Sequence, residues 1–296
     1  MIDTGLRGRS VLVTGGNNPY GIGAATAKAF AAQGAAVFIH YFRSPFLIPP
    51  GSSAPGEGSA PGRDLYCVQQ QKNADEVLRL IRASGGKAES WEADLSDPSV
   101  VVELFDRAEK AFGPVEVLVN NAAHCCPDTF IPQSELTPDS RAVDLFPMGT
   151  ITVGTIDQHL AVNSRAVALM MAEFARRVVE RGGGWGRIVN VSTDGASAFA
   201  SEVSYGASKH ALESYSRAAA LELGRYGITV NVISPGPIQT AWIPPEMEKK
   251  ISEGTPLGRV GRPEDVADAI LYMASEQARW VTGQLLYVGG GWRMPQ

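Results

Sequence analysis

Short apolar runs recur along the 296-residue chain, each followed by a longer stretch in which apolar positions fall three and four apart. The runs lie at 10–14, 36–41, 88–92, 115–120, 187–192, 228–233 and 285–288. They are near-continuous rather than alternating, as expected of strands covered on both faces. The spacing between them predicts helices over 22–32, 74–84, 100–112, 157–181, 204–226 and 263–275. Pro263, Glu264 and Asp265 suit the first turn of the last helix. Strand–helix alternation from end to end predicts an α/β fold. Its core is a doubly wound parallel sheet of about seven strands with helices on both faces, built as one domain over residues 1–296.

Two stretches break the rhythm. Residues 44–62, "SPFLIPPGSSAPGEGSAPG", are dominated by Pro, Gly and Ser. That composition predicts a surface loop, an insert near 44–66 that reads as decoration. The second insert, 123–156, contains "HCCPDTFIPQSELTPDS" and is long for a strand-to-helix connection, with room for a short helix or hairpin. It follows a strand's C-terminal end, where ligands bind in open α/β sheets, so a substrate-side role and plain decoration both stand.

Charge and composition narrow the function. A formal net charge of −5 and a pI near 5.5 give no electrostatic case for nucleic acid or an anionic membrane. No apolar run approaches the roughly 18 residues of a membrane span, and "MIDTGLRGRS" lacks a signal-peptide core. Three cysteines, two of them adjacent, fit a reducing, cytoplasmic setting. Four histidines without ligand spacing give no metal site.

"TGGNNPYGIG", residues 14–23, sets Gly15, Gly21 and Gly23 between a predicted strand and a predicted helix, the context of a phosphate-binding turn. Alone it is a weak signal. Downstream, "NNAA" (120–123) closes the fourth strand, "SYGASK" (204–209) opens a helix and "NVISPGPIQT" (231–240) closes the sixth strand. "PLGRVGRPEDVA" and "VTGQLLYVGGGW" follow. Tyr205 and Lys209 stand four apart, on one helix face. A phenol ionises near pH 10, and an ammonium about 4–5 Å away lowers that by at most about three units, towards working pH.

These motifs, in this order, resemble the short-chain dehydrogenases/reductases, most closely the 3-oxoacyl-carrier-protein reductase branch. The resemblance covers nearly all the chain except the two inserts. It implies a Rossmann-like NAD(P)-binding domain that interconverts a ketone or 3-oxoacyl thioester and a secondary alcohol. In it, Tyr205 is the general acid/base, Lys209 also bonds the nicotinamide ribose, and Asn163 relays protons. Ser192, thirteen residues before Tyr205, holds the substrate oxygen; a gapless alignment of the strand "IVNVST" gives that role to Thr193 instead.

For the cofactor, the resemblance implies Gly15, Gly21, Ile22 and Gly23 at the pyrophosphate and Asp94 and Leu95 at the adenine. Asn121, Ala122 and Ala123 fall at the adenosine ribose, and Pro235, Gly236, Ile238 and Thr240 around the nicotinamide amide. The turn holds five residues between its first two motif glycines where the family has three, which brings Asn18 or Tyr20 onto the cofactor. Tyr41 takes the place of the acidic residue that marks NAD, and Arg43 follows two residues on, so NADP(H) is favoured over NAD(H). A lid at 241–255 offers Trp242, Ile243 and Met247 to a small carbonyl or alcohol substrate, faced by His124, Cys125 and Phe130. The two long helices imply a homotetramer or dimer. The enoyl-reductase branch sets its lysine seven positions after the tyrosine, where this chain has Leu212. A catalytically silent NAD(P)-binding regulatory or scaffold protein is the alternative, opposed by the intact set Asn163, Ser192, Tyr205 and Lys209.

Overall fold

The apolar runs fold into strands, and a computed structural model describes residues 3–43, 59–142 and 146–293. The strands are β1 (Ser10–Thr14), β2 (Ala36–Tyr41), β3 (Lys87–Glu92), β4 (Val115–Asn120), β5 (Asp128–Thr129), β6 (Gly149–Thr150), β7 (Gly186–Val191), β8 (Ile228–Pro235) and β9 (Leu285–Val288). Seven form one sheet in the order β3-β2-β1-β4-β7-β8-β9, with every neighbour parallel. The chain winds outward from β1 to β3, then restarts at β4 and winds the other way. The reversal between β1 and β4 opens a crevice at the carboxyl ends of the strands.

The helices are α1 (Ile22–Ala32), α2 (Arg63–Gln70), α3 (Asp75–Ala83), α4 (Val100–Phe112), α5 (Val153–Leu160), α6 (Val167–Glu180), α7 (Val203–Leu223), α8 (Pro245–Gly254) and α9 (Pro263–Ala274). Alternate strand residues feed two cores. Val11, Val13, Val37, Ile39, Val117 and Val119 pack with Phe30 of α1 and Ile270 of α9. Leu12, Leu118, Ile188 and Val230 pack with Phe105 of α4, Phe174 of α6 and Leu212 of α7. Each such side chain contributes roughly 1.5–3 kcal/mol by leaving water.

Several details depart from the spacing. The helix expected at 157–181 starts earlier, at Val153, because Thr152 and Thr155 exchange side-chain-to-backbone bonds at 3.1 and 2.9 Å in a capping box. It is then interrupted by a π turn at Ala161–Ala166. The second insert carries a short 3-10 helix at Gln133–Glu135 and an antiparallel bridge from Arg141 to Pro147, while β5 and β6 pair in parallel. In the first insert, residues 44–58 lie outside the described residues. The loop expected as far as residue 66 gives way to a helix at Arg63, since the Pro/Gly tract ends at Gly62 and "RDLYCVQQ" contains no breaker. Helix α8 was also unforeseen. Ile243, Ile251 and Val260, with Trp242, Met247 and Trp292 around them, give that segment a small core of its own.

Candidate active site

The glycine turn leaves β1 and enters α1 at the crevice. Gly15 has φ +72°, and a Cβ there would lie 2.8 Å from Ala122 Cα. At Gly23 a Cβ would lie 2.2 Å from Gly15 O. Gly21 caps α1 with no side-chain bond, so the first amides of the helix keep their donors for an anion. A glycine cradle that side chains would fill, opposite an uncapped helix start, fits a dinucleotide pyrophosphate. Ile22 is the first residue of that helix.

The two additional turn residues are fixed. Asn17 donates through Nδ2 to Gln70 O and Lys72 O at 3.1 and 2.8 Å. Asn18 is buried; its Nδ2 donates to Thr240 O at 3.4 Å and its Oδ1 accepts the Tyr20 N–H. Tyr20 stands 53% exposed. Asn121, expected near the ribose, turns its amide onto Thr14 O and Gly15 O, both at 2.9 Å. The N–H groups of Asn121 and Ala122 both meet Thr14 Oγ1. This asparagine thus ties β4 to the turn; Ala123, next along, is exposed.

At the outer end of β2, Tyr41 is half-buried and Arg43 is exposed. Arg43 forms a two-pronged pair with Glu92, Nε–Oε1 2.9 Å and Nη2–Oε2 2.7 Å. Asp94 accepts the Ser96 N–H at 2.8 Å, and Leu95 is buried among the apolar residues of the α4 face. Pro235 ends β8, and a Cβ on Gly236 would lie 2.8 Å from Gly289 Cα. Ile238 bridges to Gly261 and accepts the Trp242 indole N–H at 3.0 Å, and Thr240 follows.

Helix α7 carries Tyr205 and Lys209. Lys209 is 1% exposed, and its Nζ donates to Val191 O at 2.7 Å while lying 5.8 Å from the centre of the Tyr205 ring. Asn163 sits in the π turn, with its amide engaged: Oδ1 accepts the His124 N–H, and Nδ2 donates to His124 O and Ser208 Oγ, all at 2.8–2.9 Å. Ser192 is buried and donates to Glu213 Oε1 at 2.7 Å. Thr193 is half-buried and accepts a 3.3 Å bond from Gly195 N.

The walls around Tyr205 include residues that spacing did not single out. His159 lies edge-on, 6.4 Å between ring centres, and Phe199 at 6.1 Å. His159 Nδ1 meets Thr155 O at 2.6 Å, so Nδ1 carries the proton and Nε2 accepts the Cys126 N–H. The His124 ring stands 4.8 Å from that of His159. Cys125 contacts Glu202 across 3.7 Å, and Asp128 accepts from both N–H and hydroxyl of Ser204 at the start of α7. His124 and Cys125 stand where the sequence placed them, whereas His159, Phe199, Asp128 and Glu202 are revealed only by the assembly of distant loops. Phe130, expected in the pocket, is 74% exposed. Among the described residues no group of His, Cys, Asp and Glu is arranged to hold a metal.

Burial dominates the electrostatics. It pushes the Tyr205 phenol well above its ordinary value, reinforced by Cys125, Glu202, Tyr66 and Asp194. This direction opposes the one expected from Lys209, because desolvation of a phenolate outweighs the pull of a cation that is itself desolvated. Burial pulls Lys209 down to about 8, and His124 down to about 4. Asp194 is raised, also by burial. At neutral pH the site presents a protonated phenol beside a lysine poised close to its titration point.

The family profile described as Enoyl-(Acyl carrier protein) reductase matches residues 59–293. NADPH-dependent aldehyde reductase 2, chloroplastic, of Arabidopsis thaliana is 33% identical, over 97% of this chain and 94% of that protein. A short-chain type dehydrogenase/reductase of Picea abies is likewise 33% identical, over 97% and 93%. The chain belongs to the short-chain dehydrogenase/reductase family. A solved short-chain dehydrogenase/reductase of Serratia marcescens is similar in structure, with a TM-score of 0.74 and 27% identity over 97% of this chain and 98% of that one. The protein is an NAD(P)-dependent oxidoreductase of this family, with the family's seven-stranded parallel sheet. The relatives match beyond the family profile, into the N-terminal half that holds the glycine turn. Among the described residues no helix is long and apolar enough to cross a membrane.

Proposed function

We propose that this enzyme interconverts a ketone, or a 3-oxoacyl thioester, and a secondary alcohol, with NADP(H) as the hydride carrier. The carrying observation is the half-buried Tyr205 with the buried Lys209 one helical turn away, its Nζ 5.8 Å from the centre of the phenol ring. Bound nicotinamide supplies or removes the hydride, which no side chain can do. Tyr205 donates its proton to the carbonyl oxygen in reduction and takes it back in oxidation. Lys209, cationic below about pH 8, stabilises the phenolate that remains. Asn163 holds the His124 backbone in place beside this pair and so shapes the wall.

The hydroxyl partner of Tyr205 is Thr193 in this reading. Ser192 spends its proton on Glu213, whereas the Thr193 hydroxyl acts as an acceptor in its described bond and keeps its proton for a substrate oxygen. The α8 segment, 241–255, serves as the lid. The exposed edge of α6 and α7, with Leu169, Tyr215 and Leu221, serves as a subunit interface in a tetramer or dimer; a monomer in sedimentation at micromolar concentration would remove it. NADP(H) is supported by Tyr41 and Arg43 at the end of β2 and by the name of the Arabidopsis relative. A cytoplasmic setting suits the buried Cys67 thiol.

The test is NADPH oxidation across a panel of ketones, aldehydes and 3-oxoacyl thioesters. Tyr205→Phe should lose about 10²–10⁴-fold in kcat with NADPH affinity kept. Thr193→Ala should lose far more turnover than Ser192→Ala. Tight NADPH binding with no carbonyl reduced by the wild type would instead mark a silent binding protein.

A further inference from the structure

Helix α2 follows the Pro/Gly tract and is tied at one end to the segment leading into α8 and at the other to the glycine turn. At its start Gly62 N donates to Ala241 O at 2.8 Å, and at its end Gln70 O and Lys72 O take the Asn17 amide. It therefore runs from the lid side to the glycine turn. Arg63, Tyr66 and Cys67 share one face of it. The Tyr66 ring meets Phe146, from the second insert, edge-on at 6.4 Å, and the Arg63 guanidinium carbon stands 5.1 Å from the centre of the same ring. Tyr66 is close enough to Tyr205 to disfavour its ionisation. The two inserts thus meet over the reactive phenol.

Arg43 ends on Glu92 and Arg293 faces Asp194, but Arg63 pairs with no carboxylate among the described residues. Its Nε is buried without an acceptor, and the group leans on the Cys67 thiol. A buried guanidinium N–H lacking an acceptor is costly, and the fork of a guanidinium matches a carboxylate or a phosphate. An eight-residue helix is about 12 Å long. Arg63 is at the end remote from the glycine turn, so an anion there belongs to the substrate rather than to the cofactor's pyrophosphate. Asp194 and Glu202 beside Tyr205 repel a carboxylate next to the reacting carbon.

Building on the carbonyl-reductase reading, we propose that α2 forms the outer wall of the substrate site and that Arg63 anchors a carboxylate on the substrate, several bonds from the reacting carbonyl. The substrate class is an oxo acid, or the matching hydroxy acid, with its carboxylate remote from the carbonyl.

The test pairs binding with turnover. In the NADP⁺ complex, hexanoate should bind about tenfold or more tighter than hexanamide. Arg63→Gln should abolish that preference, Arg63→Lys should keep part of it, and neither should move the NADPH dissociation constant. In turnover, Arg63→Gln should raise KM for 5-oxohexanoate about tenfold, with kcat unchanged and methyl 5-oxohexanoate unaffected. Equal binding of hexanoate and hexanamide by the wild type overturns the anchor, even if Arg63→Gln fails to fold. So does an intact preference with weakened NADPH binding in Arg63→Gln, which would assign the guanidinium to a cofactor phosphate. Preference for hexanoate with no turnover of any carbonyl keeps the anchor and removes the reductase reading; turnover without that preference does the reverse.

Discussion

The crevice has two sides built on different principles. On the cofactor side, the glycine turn hangs from the sheet itself: Gly15 and Gly16 donate to His40 O on β2, and Asn121 reaches back from β4. Beneath it Val11, Val13, Val37 and Ile39 are fully buried. On the substrate side, α2, the β5–β6 pair and α8 contribute nothing to the main sheet. They are held by local polar attachments, such as Gly62 to Ala241, the Asn17 amide to the end of α2 and Asp128 to Ser204, and by the small core around Ile243. One side inherits rigidity from the fold; the other is fastened piece by piece.

Acid should expose the difference most strongly. Burial pulls His40 down to about 4, and its Nε2 bonds Ala93 O while Nδ1 has no partner. Its folded value lies below the unfolded 6.5, so the unfolded chain takes up the proton first. Stability is then full above about pH 6.5 and falls as pH drops towards 4, by about 3 kcal/mol for this group. Melting temperatures of the wild type and His40→Gln between pH 7 and 4 should converge in acid; parallel curves would exclude His40 as the acid-labile point.

Next in size is a pair of substitutions, one on each side. Gly23→Ala drives a Cβ into Gly15 O and should cost about 1–3 kcal/mol together with NADPH binding. Asp128→Ala strands the Ser204 N–H and should cost a similar amount, about 1–3 kcal/mol, while leaving NADPH affinity intact and raising carbonyl KM. Thermal melts and fluorescence titration of NADPH read both. If Asp128→Ala weakens NADPH as much as Gly23→Ala does, the two sides are not separate.

The smallest effect concerns Glu92. Its carboxylate is held below the usual range by Arg43 and competes with any 2′-phosphate for that guanidinium. Removing an exposed partner of this kind is worth roughly 1 kcal/mol or less. Glu92→Gln should therefore raise the preference for NADPH over NADH several-fold in kcat/KM; a shift towards NADH would argue that Arg43 serves only the ion pair.

The same division explains what was legible in the sequence. The sheet was readable because burial on both faces writes continuous apolar runs, and the glycines, Tyr205 and Lys209 because backbone approach and helix spacing are local constraints. The direction of the Tyr205 shift was not readable, since it comes from burial first and then from the charge of residues such as Glu202 and Tyr66, which only the folded loops bring near. Ser192 and Thr193 are adjacent and chemically alike, and only the fold shows that Ser192 is bonded to Glu213, twenty-one residues away. Helix α2 was hidden behind a tract whose composition spoke only for itself.

Ala241 holds φ at +78°, unusual for a residue with a side chain, and its carbonyl is the one that Gly62 grips. The segment leading into α8 is thereby latched, at a strained point, to a helix from the other end of the chain. Swinging α8 away means either carrying α2 along or releasing this latch. In the proposed lid role of α8, the rate of opening then depends on a backbone contact far from the chemistry.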